Sequence, residues 1–132
     1  MTPLGVRLRS LRKQRGVTQL EMAQALGVSN AYLSALEHGH RGLPNWGFIQ
    51  RLVGYFNLIW DEAEQLEALA MVSDPKVVID TAGGSPEATR LANRLSRLIG
   101  ALSADQCAAL EDHLVRLAGE GGPGRPAGDV RE

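Results

Sequence analysis

Apolar residues recur at helical spacing along the first 72 residues, and short polar or glycine-containing breaks separate the repeats. Leu4, Leu8 and Leu11 form the first stripe, at positions i, i+4 and i+7. Four further stripes predict the buried faces of four more short helices: Met22, Ala23 and Leu26; Leu33 and Leu36; Ile49, Leu52, Val53 and Phe56; and Leu66, Leu69 and Ala70. The pattern therefore predicts five short helices and no strand in this part.

Capping residues mark the boundaries of these helices. Gly16 and Gly27 each follow a predicted last turn, where glycine accepts the left-handed conformation that ends a helix. Thr18 is followed three residues later by Glu21, which is the spacing of a capping box, and Ser29 can cap the next helix. These signals predict two helices of about eight residues joined by a tight turn at Gly27.

A connector over residues 73–84 separates the five helices from a different pattern. It contains a β-branched run at 77–79, which we expect to pack on another part of the protein. Ser85, which is followed by proline and glutamate, opens a new helix. Ser103 opens another one through a second capping box, with glutamine three residues on.

Leucines recur at spacings of three and four in these last two helices, which span residues 85–118 and are expected to form a hairpin. The leucines are Leu91, Leu95, Leu98, Leu102, Leu110, Leu114 and Leu117. A two-helix hairpin cannot enclose a core by itself. Its apolar face must dock on the N-terminal helices or on a second copy of the chain, and we expect homodimerisation. The tail at 119–132 has no apolar pattern and is predicted to be disordered.

Composition narrows the class of protein. With 132 residues, 44% of them hydrophobic, the chain suits one small domain with an appendage. It has no run of about eighteen apolar residues and no signal-peptide stretch near the N-terminus, so we expect no association with membranes. Cys107 is the single cysteine, which excludes an internal disulfide and fits a reducing cytoplasm. Its expected role is that of a small buried apolar residue.

The net charge of −1 conceals an asymmetry along the chain. Residues 1–41 contain six basic and two acidic residues (net +4), whereas the remainder contains eight basic and thirteen acidic residues (net −5). A basic segment joined to an acidic one suggests a part that binds a polyanion and a part with another task.

The segment TQLEMAQALGVSNAYLSALEHG at 18–39 carries the strongest functional signal. Its two short helices are joined by a tight turn. The small Ala23 on the first helix allows the second helix to cross closely, and Val28 fills the angle between them. This arrangement resembles the Xre family of helix-turn-helix proteins, which includes the lambda-type phage repressors and Cro. The matching positions are Thr18, Gln19, Met22, Ala23, Leu26, Gly27, Val28, Ser29, Leu33, Ser34, Leu36, Glu37, Gly39, Arg41, Pro44, Ile49, Leu52, Val53, Phe56 and Leu58. The resemblance covers about residues 4–70 and implies an all-α, five-helix DNA-binding domain at 1–72.

The resemblance also implies contacts with double-stranded DNA. The helix at 29–37 would lie in the major groove and present four side chains to base edges: Asn30, Ala31, Ser34 and Ala35. Gln19 matches a residue that holds a phosphate at the start of its helix, and Tyr32 could offer its hydroxyl to a phosphate. His38, His40 and Arg41 lie in the loop that follows the DNA backbone in relatives, so we expect phosphate contacts from them as well. Arg12 and Glu37 match a pair that forms an internal ion pair, so we expect a structural role for both.

Simpler interpretations stay open for several of these residues. Asn30 could be a second-choice helix cap, and Tyr32 could pack against the fourth helix instead of contacting a phosphate. His38 and His40 could be ordinary loop residues, because no cysteine or acid lies at ligand spacing from them. The basic side of the first helix could be a solvated face. We expect no metal and no cofactor.

The residues together favour a regulator over an enzyme. The chain has no glycine-rich phosphate loop, no HExxH motif, and no nucleophile with a neighbouring histidine and acid. We expect a transcriptional regulator, a repressor, that binds an inverted repeat as a homodimer in the cytoplasm, associated with the nucleoid. The alternative is an antitoxin or adaptor that binds a protein partner through residues 73–118. A sensor with a ligand pocket or a redox-active Cys107 is a third possibility.

Overall fold

A computed structural model describes residues 1–40, 42 and 44–119, and these residues form helices, turns and loops without a strand. The helices are α1 (Pro3–Arg15), α2 (Gln19–Leu26), α3 (Asn30–His38), α4 (Trp46–Tyr55), α5 (Asp61–Met71), α6 (Pro86–Leu98) and α7 (Ala104–Ala118), with a 3₁₀ turn at Ile99–Ala101. The all-α prediction is confirmed for this part of the chain. Two compact units are present, Met1–Val77 and Val78–Glu132. The tail predicted to be disordered lies outside the described residues from position 120 onwards.

The core of the first unit consists of the apolar stripes of its five helices. Every inward residue predicted for α1, α2 and α3 is buried, and so are Ile49, Leu52, Leu66 and Ala70. Three predicted core residues are only half-buried: Val53, Phe56 and Leu69. Phe48 is also buried, although it is not part of the apolar stripe predicted for α4. Apolar periodicity therefore located most of the core of this unit, with one buried residue omitted and three residues less buried than predicted.

The capping signals place the helix ends as predicted. Gly16 and Gly27 adopt φ angles of 73° and 72°, and each ends its helix in the left-handed conformation. The Thr18 hydroxyl accepts a hydrogen bond from the Glu21 N–H at 3.0 Å, and the Glu21 carboxylate accepts one from the Thr18 N–H at 2.8 Å. The bonds from the Thr18 backbone and side chain favour the ionised carboxylate and hold the pKa of Glu21 below its usual range.

Two glycines allow α1 to approach the C-terminal end of α3. Gly5 is buried, and a Cβ atom at this position would lie 2.4 Å from the Glu37 carbonyl oxygen. Gly39 ends α3 with a φ of 76°, and a Cβ atom there would lie 2.9 Å from the Thr2 backbone nitrogen. The two backbones are thus in direct contact, which fixes the orientation of α3 relative to α1.

Ser73 joins the end of the five-helix unit to its beginning. Its hydroxyl accepts a hydrogen bond from the Leu4 N–H at 2.9 Å and donates one to the Leu69 carbonyl. The first four N–H groups of a helix have no partner within the helix, and this bond satisfies one of them in α1. Because Ser73 is only 5% exposed, its hydroxyl replaces water at a buried helix end.

The second unit has no buried residue among those that the structure describes. Ser85 caps α6 and Ser103 forms the predicted capping box of α7. The four-residue spacing from Leu98 to Leu102 does not continue the helix: α6 ends at Leu98 and a 3₁₀ turn follows. Gly100 lowers the helix propensity there, and Leu102 is extended so that Ser103 can begin α7. The hairpin itself stays a prediction.

The apolar side chains of the second unit face outward. Leu95 and Leu102 are half-buried, whereas Leu91, Leu98, Leu110, Leu114 and Leu117 are 51–74% exposed. The connector residues 77–79 are exposed as well, so the packing expected for them is not made within the described chain. Cys107 is half-buried rather than buried. None of the described helices is both long and apolar enough to cross a membrane.

Candidate nucleic-acid interface

The turn between α2 and α3 is built from local contacts. The Val28 N–H donates to the Ala23 carbonyl at 3.0 Å, and the Val28 side chain packs against the core. Ser29 caps α3, since its hydroxyl accepts from the Tyr32 N–H at 3.0 Å. Ala23 is buried and short, so it allows α3 to cross α2 closely. The elbow predicted from the sequence is present.

The two sides of α3 differ in burial and in chemistry. Leu33, Leu36 and Glu37 are buried against the core. The other side carries the four residues predicted to contact base edges, of which two are exposed and two are half-buried: Asn30, Ala31, Ser34 and Ala35. Since Ser29 supplies the cap, the Asn30 side chain is not used to cap the helix. The structure thus brings these four residues to one outward surface of α3, which we call the α3 outer face.

A buried polar network fixes α3 to α1 and to the start of α2. The Arg12 guanidinium donates to both carboxylate oxygens of Glu37, Nε to Oε2 at 2.9 Å and Nη2 to Oε1 at 3.2 Å. The Gln19 amide donates to the same Oε1 at 3.2 Å, and Glu37 is only 1% exposed. The predicted ion pair is confirmed. An amide nitrogen carries two N–H groups, so Gln19 keeps one beyond its bond to Glu37.

The aromatic and histidine residues near α3 have structural contacts of their own. Tyr32 lies edge-to-face on Phe48, with ring centroids 5.7 Å apart, so its ring packs on α4. In the tautomer with a proton on Nδ1, His38 donates to the Ser34 carbonyl at 2.8 Å. The ring of His40 lies 6.1 Å from that of His38. Arg41 lies outside the described residues. Within the described ranges no three histidine, cysteine or acidic residues cluster in a way that could hold a metal ion.

Two arginines have structural contacts that the sequence analysis missed. Arg51 donates to the Leu26 carbonyl, which ties α4 to the C-terminal end of α2. Arg15 donates to the Tyr55 carbonyl and lies 4.6 Å above the centre of that ring. No short-range sequence signal could have shown either contact, because the partners are 25 and 40 residues away.

Three other basic residues are available on α1. Arg7, Arg9 and Lys13 make no ion pair or side-chain hydrogen bond to the residues that the structure describes. The basic residues of α1 therefore include two arginines that hold the fold together, Arg12 and Arg15, and three cations that have no partner among the described residues.

Comparison with known proteins agrees with this geometry. A family model for the helix-turn-helix domain matches residues 3–69, which is just over half of the chain. The chain therefore belongs to the helix-turn-helix domain family. No match to a solved structure was found.

Three relatives come from Bacillus subtilis (strain 168). The uncharacterized HTH-type transcriptional regulator YazB is 41% identical over 58 residues, covering 44% of this chain and 83% of YazB. The uncharacterized HTH-type transcriptional regulator RghRB is 34% identical over 61 residues, covering 46% and 44%. The HTH-type transcriptional repressor RghR is 40% identical over 52 residues, covering 39% and 38%. The chain thus spans less than half of the length of RghRB and of RghR.

Proposed function

We propose that this protein is a sequence-specific transcriptional repressor that binds an inverted repeat in double-stranded DNA as a homodimer. The observation that carries the proposal is the α3 outer face, on a helix whose other side is locked into the core. A helix held this way after a tight elbow is the element that enters the major groove in helix-turn-helix proteins. Two copies would place their α3 helices in half-sites about 34 Å apart, or a multiple of that distance.

The chemistry of the α3 outer face suits direct contact with bases. The Asn30 amide can bond bidentately to adenine, and the methyl groups of Ala31 and Ala35 can pack on the thymine methyl. The hydroxyl of Ser34 can bond to either partner of a base pair. All four side chains are short and uncharged, so this surface supplies shape and a few hydrogen bonds rather than electrostatic attraction.

Attraction to the phosphates would come from the residues around α3. The second amide N–H of Gln19, which has no partner among the described residues, lies at the N-terminal end of α2, where the helix dipole favours an anion. Tyr32, His38, His40 and Arg41 are the other proposed phosphate contacts. Arg7, Arg9 and Lys13 of α1 would add attraction that does not depend on the DNA sequence. In this proposal the phosphate contacts fix where the protein sits on the duplex, whereas the α3 outer face selects the base sequence.

The repressor role agrees with the name of one relative, and a cytoplasmic, nucleoid-associated location is proposed together with it. RghR is named a transcriptional repressor, and it matches this chain over 52 residues. Binding at a promoter with α3 in the groove would exclude polymerase without any catalytic group, and no enzymatic activity is proposed.

Dimerisation is assigned to α6 and α7 at 85–118. Their exposed leucines are the apolar surface that a partner must cover. The charges favour a second copy as that partner, because α6 carries three arginines and one acid whereas α7 carries three acids and one arginine. Packing α6 of one copy against α7 of another would pair opposite net charges twice, as a two-fold interface requires.

Substitutions at Asn30 and Arg41 test the division between base and phosphate contacts. Asn30→Ala is expected to lose about 1–3 kcal/mol of discrimination at one base pair of each half-site. Arg41→Ala is expected to weaken binding to all sequences alike and to make the plot of log affinity against log salt concentration shallower by about one. Selection of bound DNA from a random pool, followed by titrations at several salt concentrations, measures both effects.

Gln65→Ala is the control for this experiment, since Gln65 is exposed on α5 and should change neither quantity. An altered base preference in Arg41→Ala would show that the roles are wrongly divided. An adaptor or antitoxin is the second candidate, because the exposed leucines would equally suit a different protein. No enriched DNA from the pool, together with a monomeric mass for the purified chain, would favour that candidate.

A further inference from the structure

Residues 76–80, with the sequence KVVID, form an exposed segment outside the helices of both units. Val77, Val78 and Ile79 are 70%, 88% and 54% exposed, and they lie in neither a helix nor a turn. Their backbone groups make no hydrogen bond to any residue that the structure describes. Three consecutive β-branched residues with unpaired backbone groups are a template for pairing with another strand.

Local hydrogen bonds mark the two ends of this segment. The Lys76 N–H donates to the Asp74 carboxylate at 3.0 Å, and the Ala82 N–H donates to the Asp80 carboxylate at 2.9 Å. A carboxylate has two oxygens and about four acceptor sites, so the Asp80 side chain can accept a further hydrogen bond from a cation while it keeps the bond to Ala82.

The sequence of the segment is complementary to itself when it is reversed. If two copies run antiparallel with Val78 opposite Val78, each Lys76 lies opposite Asp80 and each Val77 lies opposite Ile79. Cross-strand pairs of opposite charge and of β-branched residues both stabilise antiparallel strands. A parallel pair in register would instead place lysine opposite lysine and aspartate opposite aspartate.

We propose that residues 76–80 pair antiparallel with the same residues of a second copy, forming a two-stranded ribbon across the two-fold axis of the homodimer. The inference rests on the homodimer in the proposed function and specifies a part of its interface. A two-stranded ribbon is marginal on its own, so this contact adds to the α6 and α7 interface and does not replace it.

The two faces of this ribbon have different character. Side chains alternate along a strand, so Val77 and Ile79 share one face with the same two residues of the second copy. That face is entirely apolar. The other face carries Val78 at the axis, with an ion pair of Lys76 and Asp80 on each side. A shift of one residue would put the apolar face of one copy on the same side as the charged face of the other and break both ion pairs, so the pattern favours this register.

Charge exchange tests the pairing directly. Lys76→Glu places two acids opposite each other at both ends of the ribbon, and Asp80→Lys places two lysines opposite each other. Each single variant is expected to weaken the dimer about tenfold or more, as measured by sedimentation equilibrium. An equimolar mixture of the two variants restores both opposite-charge pairs, so a heterodimer near wild-type affinity is expected.

Disulfide trapping in the full chain tests the register independently of charge. In a Cys107→Ala background, Val78→Cys is expected to cross-link to itself under mild oxidation. Val77→Cys is the matched control and should cross-link much more slowly, since its opposite residue is Ile79. A mixture of Val77→Cys and Ile79→Cys should then form the mixed disulfide preferentially.

The outcomes separate this proposal from the proposed function. A wild-type dimer without Val78→Cys trapping, or a mixture of charge variants no tighter than either alone, would overturn the ribbon and leave the helical dimer standing. A monomeric wild-type chain would overturn both. A dimer of the chain with a different protein, in place of a second copy, would also overturn the ribbon. Binding to selected DNA is measured separately and does not enter the result.

Discussion

Replacing Gly5 with alanine is expected to lower the free energy of unfolding of the first unit by about 2 kcal/mol or more. Alanine normally stabilises a helix relative to glycine by up to about 1 kcal/mol, so the expected sign is the reverse of the helix propensity. The reason is the 2.4 Å approach of the added Cβ atom to the Glu37 carbonyl oxygen, which is backbone and cannot rotate away. Urea denaturation of the wild-type and variant chains measures the difference.

Gly54→Ala is the matched control, because Gly54 also lies within a helix and an added Cβ atom there meets nothing within 4 Å. This variant should be as stable as the wild type or slightly more stable. Equal effects at Gly5 and Gly54 would contradict the close contact between α1 and α3. A stability loss confined to Gly5 should also weaken DNA binding, since the same contact orients the α3 outer face.

Breaking the Arg12–Glu37 ion pair is the second change with a large expected effect. Arg12→Met leaves the Glu37 carboxylate buried, at 1% exposure, with only the Gln19 amide beside it. Removing one partner of a buried ion pair costs about 3–5 kcal/mol, because the remaining charge has lost its compensation. A unit of this size has a total stability of about 5–15 kcal/mol, so the variant should be partly unfolded at moderate urea concentrations.

The double variant Arg12→Met, Glu37→Leu shows whether the stability loss of Arg12→Met comes from the uncompensated carboxylate or from altered packing. With both charges removed, the protein should recover most of the stability, since an apolar pair of similar volume often replaces a buried ion pair at little cost. Lys13→Met is the control on the same helix, and it should change the stability by less than about 0.5 kcal/mol. A double variant less stable than Arg12→Met alone would refute the assignment of the loss to an uncompensated carboxylate.

Local signals made the first unit largely predictable. Each of α2 and α3 begins at a capping side chain, such as Thr18 with Glu21, and ends at a glycine in the left-handed conformation. The hydrogen bonds of these caps join residues only three or four positions apart. The apolar period then fixed which side of each helix is buried. The α3 outer face followed from the same period, because it is the side without Leu33 and Leu36.

Contacts between distant residues were not predictable from one sequence. Arg51 and Arg15 contribute only their charge to the sequence pattern, although each donates to a carbonyl on another helix. From the sequence, Tyr32 could contact a phosphate or pack against α4. The structure shows its ring against Phe48 of α4, a contact that depends on how α4 packs. The leucine spacing of α6 identified an apolar side but not what covers it, since periodicity carries no information about a partner.

The Ser73 hydroxyl has a topological consequence for the first unit. It brings together two residues that are 69 positions apart, so the unit begins and ends at nearly the same point in space. Its first and last helices, α1 and α5, pack against each other, and the Ser73 hydroxyl links them at this point. A short peptide could therefore join the two ends, and the chain could be opened elsewhere, for example between α4 and α5, without changing which helices touch.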